Sequence, residues 1–295
     1  MSLLETGSFS RTAETLYMSQ PSVSQRLRQL EDELGMALVV RGGRGLTLTP
    51  AGEVFYPTAR NLIATLDRGR EELRGFAGRV EGTVRVWASQ TAGGHILPPA
   101  LCAFASAHPD VRVRLHIANS AEVESALLAG EADFGVIESP TASGQLAARD
   151  WLDDPLVFVC SPRHPLAETP GEIPLDALGA ALLALREPGS GTRAALADAL
   201  GAVGGALPAR LVEMSSLAAL RSAVLAGAVV TFLSRWVVAD DIAMGRLVTR
   251  PVAGVLPTRK MRLVRRRSPF PSHAAERLYA EVAHRPLAPE ERVDS

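Results

Sequence analysis

The chain has 295 residues, 47% of them hydrophobic, which is enough for more than one domain with its own core. The formal net charge of −1 excludes a surface that attracts nucleic acid everywhere, so any such binding must rest on a local patch. Cys102 and Cys160 lack metal-type spacing, so we expect buried, unpaired thiols, with a redox pair as the weaker alternative. The chain shows neither an export signal nor a membrane-length apolar run, so we expect a cytoplasmic protein.

The first predicted unit is a helix-turn-helix near the N-terminus. Apolar residues recur with helical spacing at positions 9, 13 and 16, and again at 23, 27, 30 and 34. Pro21 suits the first turn of the second helix, and Gly35 stands where a C-terminal cap belongs. Two short helices joined by a tight turn at residues 18–20 are therefore expected.

The outer face of the second helix carries groups that suit DNA. If Val23 faces the core, Gln25 and Arg28 turn to the far side of the helix. Glutamine can bond bidentately to adenine and arginine to guanine, while serine hydroxyls and the amides at a helix start suit phosphates. The candidate DNA contacts of this segment are Ser19, Gln20, Ser22, Gln25 and Arg28. Taken alone, these residues equally fit an ordinary solvated helix face.

A β-hairpin wing is predicted next, in LVVRGGRGLTLTPAG. Two short β-prone runs, 38–40 and 46–48, flank a glycine-rich turn that places Arg41 and Arg44 at its tip. Thr49 then caps a helix that has Pro50 in its first turn. Arg41, Arg44 and Thr49 complete the candidate DNA contacts.

A long helix is expected from about residue 50 to about residue 78. Its apolar positions 55, 59, 62, 66 and 73 form a coiled-coil seam that Gly69 interrupts. Pro57 removes one backbone donor inside the helix, so a kink is expected there. A helix with one narrow apolar stripe and no domain of its own is predicted to pair with a second copy of the chain.

From residue 82 onward, strand-like and helical runs alternate. The strand-like runs are 84–88, 111–117, 134–138, 156–160, 181–185 and 229–233, and the helical runs are 99–107, 121–129, 192–201, 216–226 and 272–284. This alternation predicts an α/β domain with mainly parallel sheets. Because roughly 200 residues is large for one such sheet, two lobes are expected.

The stretch REPGSGTR, residues 186–193, has the features of an anion site. Gly189 and Gly191 let the backbone approach closely, Ser190 and Thr192 add hydroxyls, and Arg193 enters the first turn of a helix. Backbone amides at such an N-terminus favour an anion. A glycine-rich loop with a simple N-cap is the alternative. The stretch is not a P-loop, because the required Gly-Lys-Ser/Thr ending is absent.

The stretch RKMRLVRRR, residues 259–267, packs six basic residues together, which could indicate a nucleic-acid tail. Its alternation with Met261, Leu263 and Val264 instead favours a strand that crosses between lobes with solvated arginines.

The N-terminal segment SFSRTAETLYMSQPSVSQRLRQLEDELGMALVVRGGRGLTLTPAG resembles the winged helix-turn-helix of LysR-type transcriptional regulators. The resemblance continues over nearly the whole chain and implies a homo-oligomer, a dimer or a tetramer, that binds promoter DNA with an interrupted dyad and responds to a small effector. It also implies a two-lobed α/β effector domain similar to periplasmic binding proteins, and neither cofactor, metal, membrane nor catalytic residue is expected.

Four stretches match the landmarks of that effector domain: ASQTAGGHILPPAL, LLAGEADFGVIES, REPGSGTR and EMSSLAALRSAVLAGAVVTFLSR. By resemblance, residues 1–49 form the DNA-binding domain, 50–81 the linker helix and 82–295 the effector domain, with lobe one at about 82–160 and 265–288 and lobe two at about 161–264. The implied effector-binding residues, for a small anion or carboxylate, are Ser89, Gln90, Thr91, Glu138, Ser190, Thr192 and Arg193.

Other functions fit the sequence less well. An enzyme lacks support because no nucleophile elbow, paired metal-ligand motif or complete dinucleotide fingerprint is present. A transporter's solute-binding protein would need an export signal and would not begin with a helix-turn-helix. One departure from the family is the short start MSLLET, where a full first helix is usual. Either the start codon lies upstream of Met1, or the DNA-binding domain is compromised.

Overall fold

The computed structural model describes residues 1–42, 45–75, 80–141, 143–267 and 272–284. The chain divides into two compact units: residues 1–69 with 129–131, and residues 70–128 with 132–295. Within the described ranges, no helix is both long and apolar enough to cross a lipid bilayer.

The N-terminal unit holds the predicted helix-turn-helix. Its helices are α1 (Ser2–Thr6), α2 (Phe9–Thr15) and α3 (Gln20–Leu34). The Ser19 hydroxyl caps α3 by accepting a hydrogen bond from the Ser22 amide at 3.3 Å. Gly35 ends the helix in the left-handed region at φ 67°, a conformation that glycine adopts without strain. The buried core of this unit includes Thr12, Ala13, Val23 and Leu38. The predicted boundaries of the second helix are confirmed.

The predicted wing is confirmed as an antiparallel hairpin of β1 (Val39–Gly42) and β2 (Gly45–Leu48). The Glu31 carboxylate of α3 holds the base of this hairpin, because its Oε1 accepts from the Leu38 amide at 2.7 Å and the Val39 amide at 3.2 Å. Arg44 lies outside the described residues, as does the side chain of Arg41.

The long helix is α4 (Pro50–Gly75), which continues through Pro57. The kink expected at Pro57 stays a prediction, and residues 76–78 of the predicted helix lie outside the described residues. Val54, Leu62 and Leu66 are exposed on the surface of α4, at 79%, 60% and 61% of their full area. Such large exposed apolar side chains are what a helix that pairs with a partner presents.

The second unit contains strands and helices in alternation. Its strands are β3 (Gly82–Ser89), β4 (Val111–Ala118), β5 (Phe134–Ile137), β6 (Leu146–Cys160), β7 (Leu183–Leu185), β8 (Leu211–Glu213), β9 (Thr231–Ser234), β10 (Val248–Thr249) and β11 (Thr258–Arg266). Its helices are α5 (Leu97–Ala107), α6 (Ser120–Leu128), α7 (Leu175–Ala180), α8 (Gly191–Ala202), α9 (Leu217–Leu225), α10 (Arg235–Ala243) and α11 (His273–His284), with a π-helical turn at Ala92–Ile96 and a 3₁₀ turn at Pro165–Glu168.

The main sheet is mixed, so the expectation of mainly parallel sheets is wrong. Strand β3 pairs in parallel with β4 and β5, but β11 runs antiparallel to both β5 and β6, and β6 pairs antiparallel with β9 and β10. The spatial order is β10-β6-β11-β5-β3-β4, with β9 added beside β6. The antiparallel pairs arise because β6 and β11 form a long two-stranded ribbon, a connection that helix and strand alternation does not reveal.

The β6–β11 ribbon joins two hydrophobic cores. Met261 and Leu263 of β11 pack with the β3, β5 and α11 side chains, whereas Leu156 and Phe158 of β6 pack with the α8 and β9 side chains. Two cores support the expectation of two lobes, while the boundaries expected after residues 160 and 264 stay a prediction. The prediction of a strand at RKMRLVRRR is confirmed by β11.

The two cysteines differ. Cys160 is fully buried, as expected, and burial raises the pKa of its thiol to about 11. Cys102 is exposed, which corrects the expectation of a buried thiol. The apolar face of α5 is formed by Leu97, Leu101 and Phe104, and the residue after Leu101 turns away from that face.

Candidate functional site

The outward face of α3 is the first candidate site. Gln25 and Arg28 are exposed, and neither makes a hydrogen bond or an ion pair with another described residue. Val23, on the opposite face, is buried as the sequence predicts. Two side chains with unused donors thus stand on a helix that Glu31 fixes against the hairpin, a geometry that suits insertion into a groove of DNA.

Other candidate DNA contacts have partners within the protein. The Ser19 hydroxyl lies 2.7 Å from the Ser22 hydroxyl, and Gln20 accepts from the Ser10 hydroxyl at 3.3 Å. The Thr49 hydroxyl donates to the Ala37 carbonyl at 2.6 Å and accepts from an amide in the first turn of α4. Thr49 therefore serves as the cap of α4, as its position predicts, and its hydroxyl is already engaged.

The second candidate site centres on a buried arginine, Arg259 of β11, which is only 6% exposed. Its Nε donates to Asp154 Oδ2 at 2.8 Å, and its Nη2 donates to the Thr91 hydroxyl at 3.0 Å and lies 2.7 Å from the same Asp154 oxygen. Its Nη1 donates to Glu138 and, at 2.8 Å, to the Thr192 hydroxyl. The guanidinium therefore gathers three of the predicted effector residues around one charge.

Arg259 corrects the expectation that the arginines of residues 259–267 are solvated. The signal for its burial was present in the sequence, since Arg259 shares the period-two face of Met261 and Leu263. Asp154 was also missed as a site residue. It is fully buried and accepts from the Ser234 hydroxyl at 2.6 Å as well as from Arg259. Burial raises the pKa of Asp154, and the nearby Arg259 charge opposes that rise.

Three buried polar atoms of predicted effector residues have no hydrogen-bond partner among the described residues: Ser89 Oγ, Glu138 Oε1 and Ser190 Oγ. Their residues are 1%, 4% and 4% exposed. Buried polar groups are normally satisfied, so unpartnered ones indicate a missing ligand or water.

The N-terminus of α8 lies directly against Glu138. A Cβ added to Gly191 would come within 2.6 Å of Glu138 Cβ, so only glycine allows this approach. Ser190 occupies the N-cap position of α8 but makes no capping hydrogen bond. The first amides of α8 have no intrahelical acceptor, so this helix end together with Ser190 can receive an anion.

Two predicted effector residues have other partners. Gln90 bridges to the start of α9, where its Nε2 donates to the Ser215 carbonyl at 2.8 Å and its Oε1 accepts from the Leu217 amide at 2.6 Å. Arg193 donates to Glu213 at 2.6 Å, so a carboxylate already neutralises the charge expected to serve the effector.

Two cavities are lined by predicted effector residues. One of about 690 Å³ lies beside Ser190 and Arg193 and is also lined by Glu124 of α6. Another of about 450 Å³ is lined by Gln90, by Trp236 of α10 and by side chains of α9. Both are within the usual size range of small-molecule sites.

Two family descriptions match the sequence. The LysR substrate binding domain matches residues 77–286, and the bacterial regulatory helix-turn-helix protein, lysR family, matches residues 1–53. Among curated relatives, the HTH-type transcriptional regulator CysL of Bacillus subtilis strain 168 is 31% identical over 242 residues, which cover 82% of this chain and 80% of CysL.

Solved structures share the fold. A full-length, single-substitution variant of OxyR from Pseudomonas aeruginosa is 25% identical with a TM-score of 0.71, over 95% of this chain and 91% of that one. Full-length CbnR in complex with its target DNA is 22% identical with a TM-score of 0.68, over 96% of this chain and 95% of that one. The likeness to CbnR shows a shared fold.

Proposed function

This chain belongs to the LysR family of bacterial helix-turn-helix regulators, and from that premise we propose a cytoplasmic regulator whose promoter binding is modulated by a small anion held between two α/β lobes. Family membership makes the chain a DNA-binding transcriptional regulator with an effector domain, and not an enzyme. The proposal concerns the chemistry of the effector and the residues that bind it.

The observation that carries the proposal is the pair of buried, unpartnered hydroxyls at Ser89 and Ser190. Ser89 ends β3 and Ser190 precedes α8. With the lobe boundaries expected from the sequence, the two residues belong to different lobes. A hydroxyl and a free helix end suit an oxyanion, because hydrogen bonds from hydroxyls and amides stabilise its negative charge.

The DNA-reading part of the proposal rests on α3 and the wing. The unpartnered Gln25 and Arg28 are proposed to contact base edges, whereas Arg41 and Arg44 are proposed to contact phosphates. CbnR, which has the same fold, is a protein solved with its target DNA.

Self-association is proposed to run through α4. Glutamate substitutions at both Leu62 and Leu66 should dissociate the oligomer, because each would bury a charge in an apolar interface. Light scattering measures the result, and an unchanged mass would place the main interface elsewhere.

The effector proposal is tested by the double variant Ser89→Ala with Ser190→Ala. A thermal-shift screen with sulfate, phosphate and small carboxylates first identifies a stabilising anion for the unmodified protein. Because neither hydroxyl has a partner among the described residues, the double variant should fold normally yet lose about 1–3 kcal/mol of anion binding.

DNA binding is then measured by fluorescence anisotropy, with a promoter fragment that the protein itself selects from genomic DNA. The double variant should bind this fragment without anion as the unmodified protein does, and should no longer respond to the anion. Ser106→Ala, an exposed position on α5, is the matched control. A double variant that keeps the full response would place the effector elsewhere.

A further inference from the structure

The charge balance around Arg259 is unfavourable for an anionic effector. Its three guanidinium nitrogens are engaged by Asp154, Glu138, Thr91 and Thr192, and two carboxylates share this single cation. An anion that entered beside them would find no free donor on Arg259. One of the existing acceptors must therefore leave before the arginine can serve an effector.

The two carboxylates are held very differently. Both oxygens of Asp154 have partners, since Oδ1 accepts from Ser234 and Oδ2 accepts from Arg259. Among the described residues, the Glu138 carboxylate has only the bond from Arg259 Nη1 to its Oε2, while its Oε1 is buried without a partner. Asp154 is thus the permanent counter-ion of Arg259, and Glu138 is the exchangeable one.

Glu138 also stands where an anion is favoured. Its main chain and Cβ touch Gly191 at the start of α8, and Thr192 of that helix shares the same Arg259 nitrogen. A cavity of about 340 Å³ beside Glu138 gives the displaced side chain room. Basic and acidic side chains line it together, and its Lys260 and Arg262 are already paired with Asp150 and Asp153.

We propose that Glu138 is an intramolecular stand-in for the effector: its carboxylate occupies Arg259 in the ligand-free protein, and the effector anion replaces it. The inference rests on the proposed anion site and adds a device that sets the affinity of that site. An effector then binds only the fraction of molecules in which Glu138 has left, so the apparent affinity falls in proportion to that fraction. The exchange also moves one hydrogen bond of Arg259 from Glu138, which follows β5, to the ligand. The effector therefore binds the state in which Glu138 is released more tightly than the state in which Glu138 is bound to Arg259.

The test compares the anion affinities of full-length variants by isothermal titration with inorganic sulfate and inorganic phosphate. Glu138→Gln keeps the shape of the side chain but removes its charge. This variant should bind at least one of these anions about tenfold more tightly than the unmodified protein, which is the gain expected if Glu138 is released from Arg259 in about a tenth of the unmodified molecules. Glu138→Asp retains the competing carboxylate and should bind as weakly as the unmodified protein. Glu124→Gln, which removes a carboxylate from the 690 Å³ cavity without touching Arg259, is the matched control and should change affinity less than about twofold.

The outcomes separate the two proposals. Equal affinities in all four proteins would overturn the stand-in and leave the anion site in place. Weaker binding by Glu138→Gln would make Glu138 a direct contact of the ligand and also overturn the stand-in. No binding of sulfate or phosphate by any of the proteins, together with no stabilisation by small carboxylates in the thermal-shift screen, would overturn both proposals. If Glu138→Gln fails to fold, Glu138→Thr carries the same expectation, and the thermal midpoint of each variant without anion shows which of them is folded.

Discussion

Arg28 and Arg259 carry the same side chain in opposite settings. Arg28 is exposed on α3 and has no partner among the described residues, whereas Arg259 is buried and bonded through all three of its nitrogens. DNA brings its own phosphates and base edges to the protein, so a reader of DNA can remain solvated until it binds. A buried guanidinium has no water to solvate it, so the protein itself has to satisfy the charge of Arg259.

The largest expected effect is on stability and comes from Arg259→Met. Glu138 and Asp154 would remain buried without their cation, which should lower the free energy of unfolding by about 3–5 kcal/mol. Arg28→Met is the matched control and should change it by less than about 0.5 kcal/mol. Urea denaturation measures the free energy of unfolding of both variants. Similar free energies for the two would show that the Arg259 cluster does not stabilise the fold.

A smaller effect is expected from two glycines of α8. Gly191→Ala should cost about 1–3 kcal/mol, because the added methyl group would overlap Glu138. Gly201→Ala, in the same helix with open space around it, should stabilise the protein by up to about 1 kcal/mol. Thermal unfolding of the two variants measures the loss of stability expected for Gly191→Ala and the gain expected for Gly201→Ala. An unchanged stability of Gly191→Ala would mean that Glu138 moves aside easily.

Arg28→Ala tests the exposed arginine of the comparison through its effect on DNA binding. Affinity for the selected promoter should fall by about 1–3 kcal/mol if Arg28 bonds to a base edge, with no change in thermal stability. Gel-shift titration at fixed salt measures this, and Arg26→Ala on the same helix is the control. An unchanged affinity would remove Arg28 from the DNA contacts.

Local signals in the sequence specify the N-terminal unit well. The boundaries of α3 follow from a serine cap, Pro21 and Gly35, all within a few residues of the helix ends, and the hairpin follows from its glycine-rich turn. These signals act over short distances, so they can be read without knowing the rest of the fold.

The cluster around Arg259 depends on long-range pairing. Thr91, Glu138 and Thr192 were singled out from the sequence, and their effector role stays a prediction, but Arg259 and Asp154, which are 105 positions apart, were not singled out. The first half of β6 was missed for a related reason. Its sequence, LAARDWLDDP, mixes charged and apolar residues without a regular period, and its partner β11 is distant in the chain, so no apolar periodicity marks this strand.

Glu31 has a consequence for how this regulator could acquire new targets. Its carboxylate joins α3 to the wing through the amides of Leu38 and Val39. The frame that aims the helix is thus built from main-chain atoms and one acidic side chain, while Gln25 and Arg28 contribute nothing to it. Because Gln25 and Arg28 are the proposed base contacts, substitutions at those two positions after a gene duplication would change operator preference in one copy without a compensating change elsewhere in the DNA-binding domain. Divergence of a regulatory network can then proceed one base contact at a time.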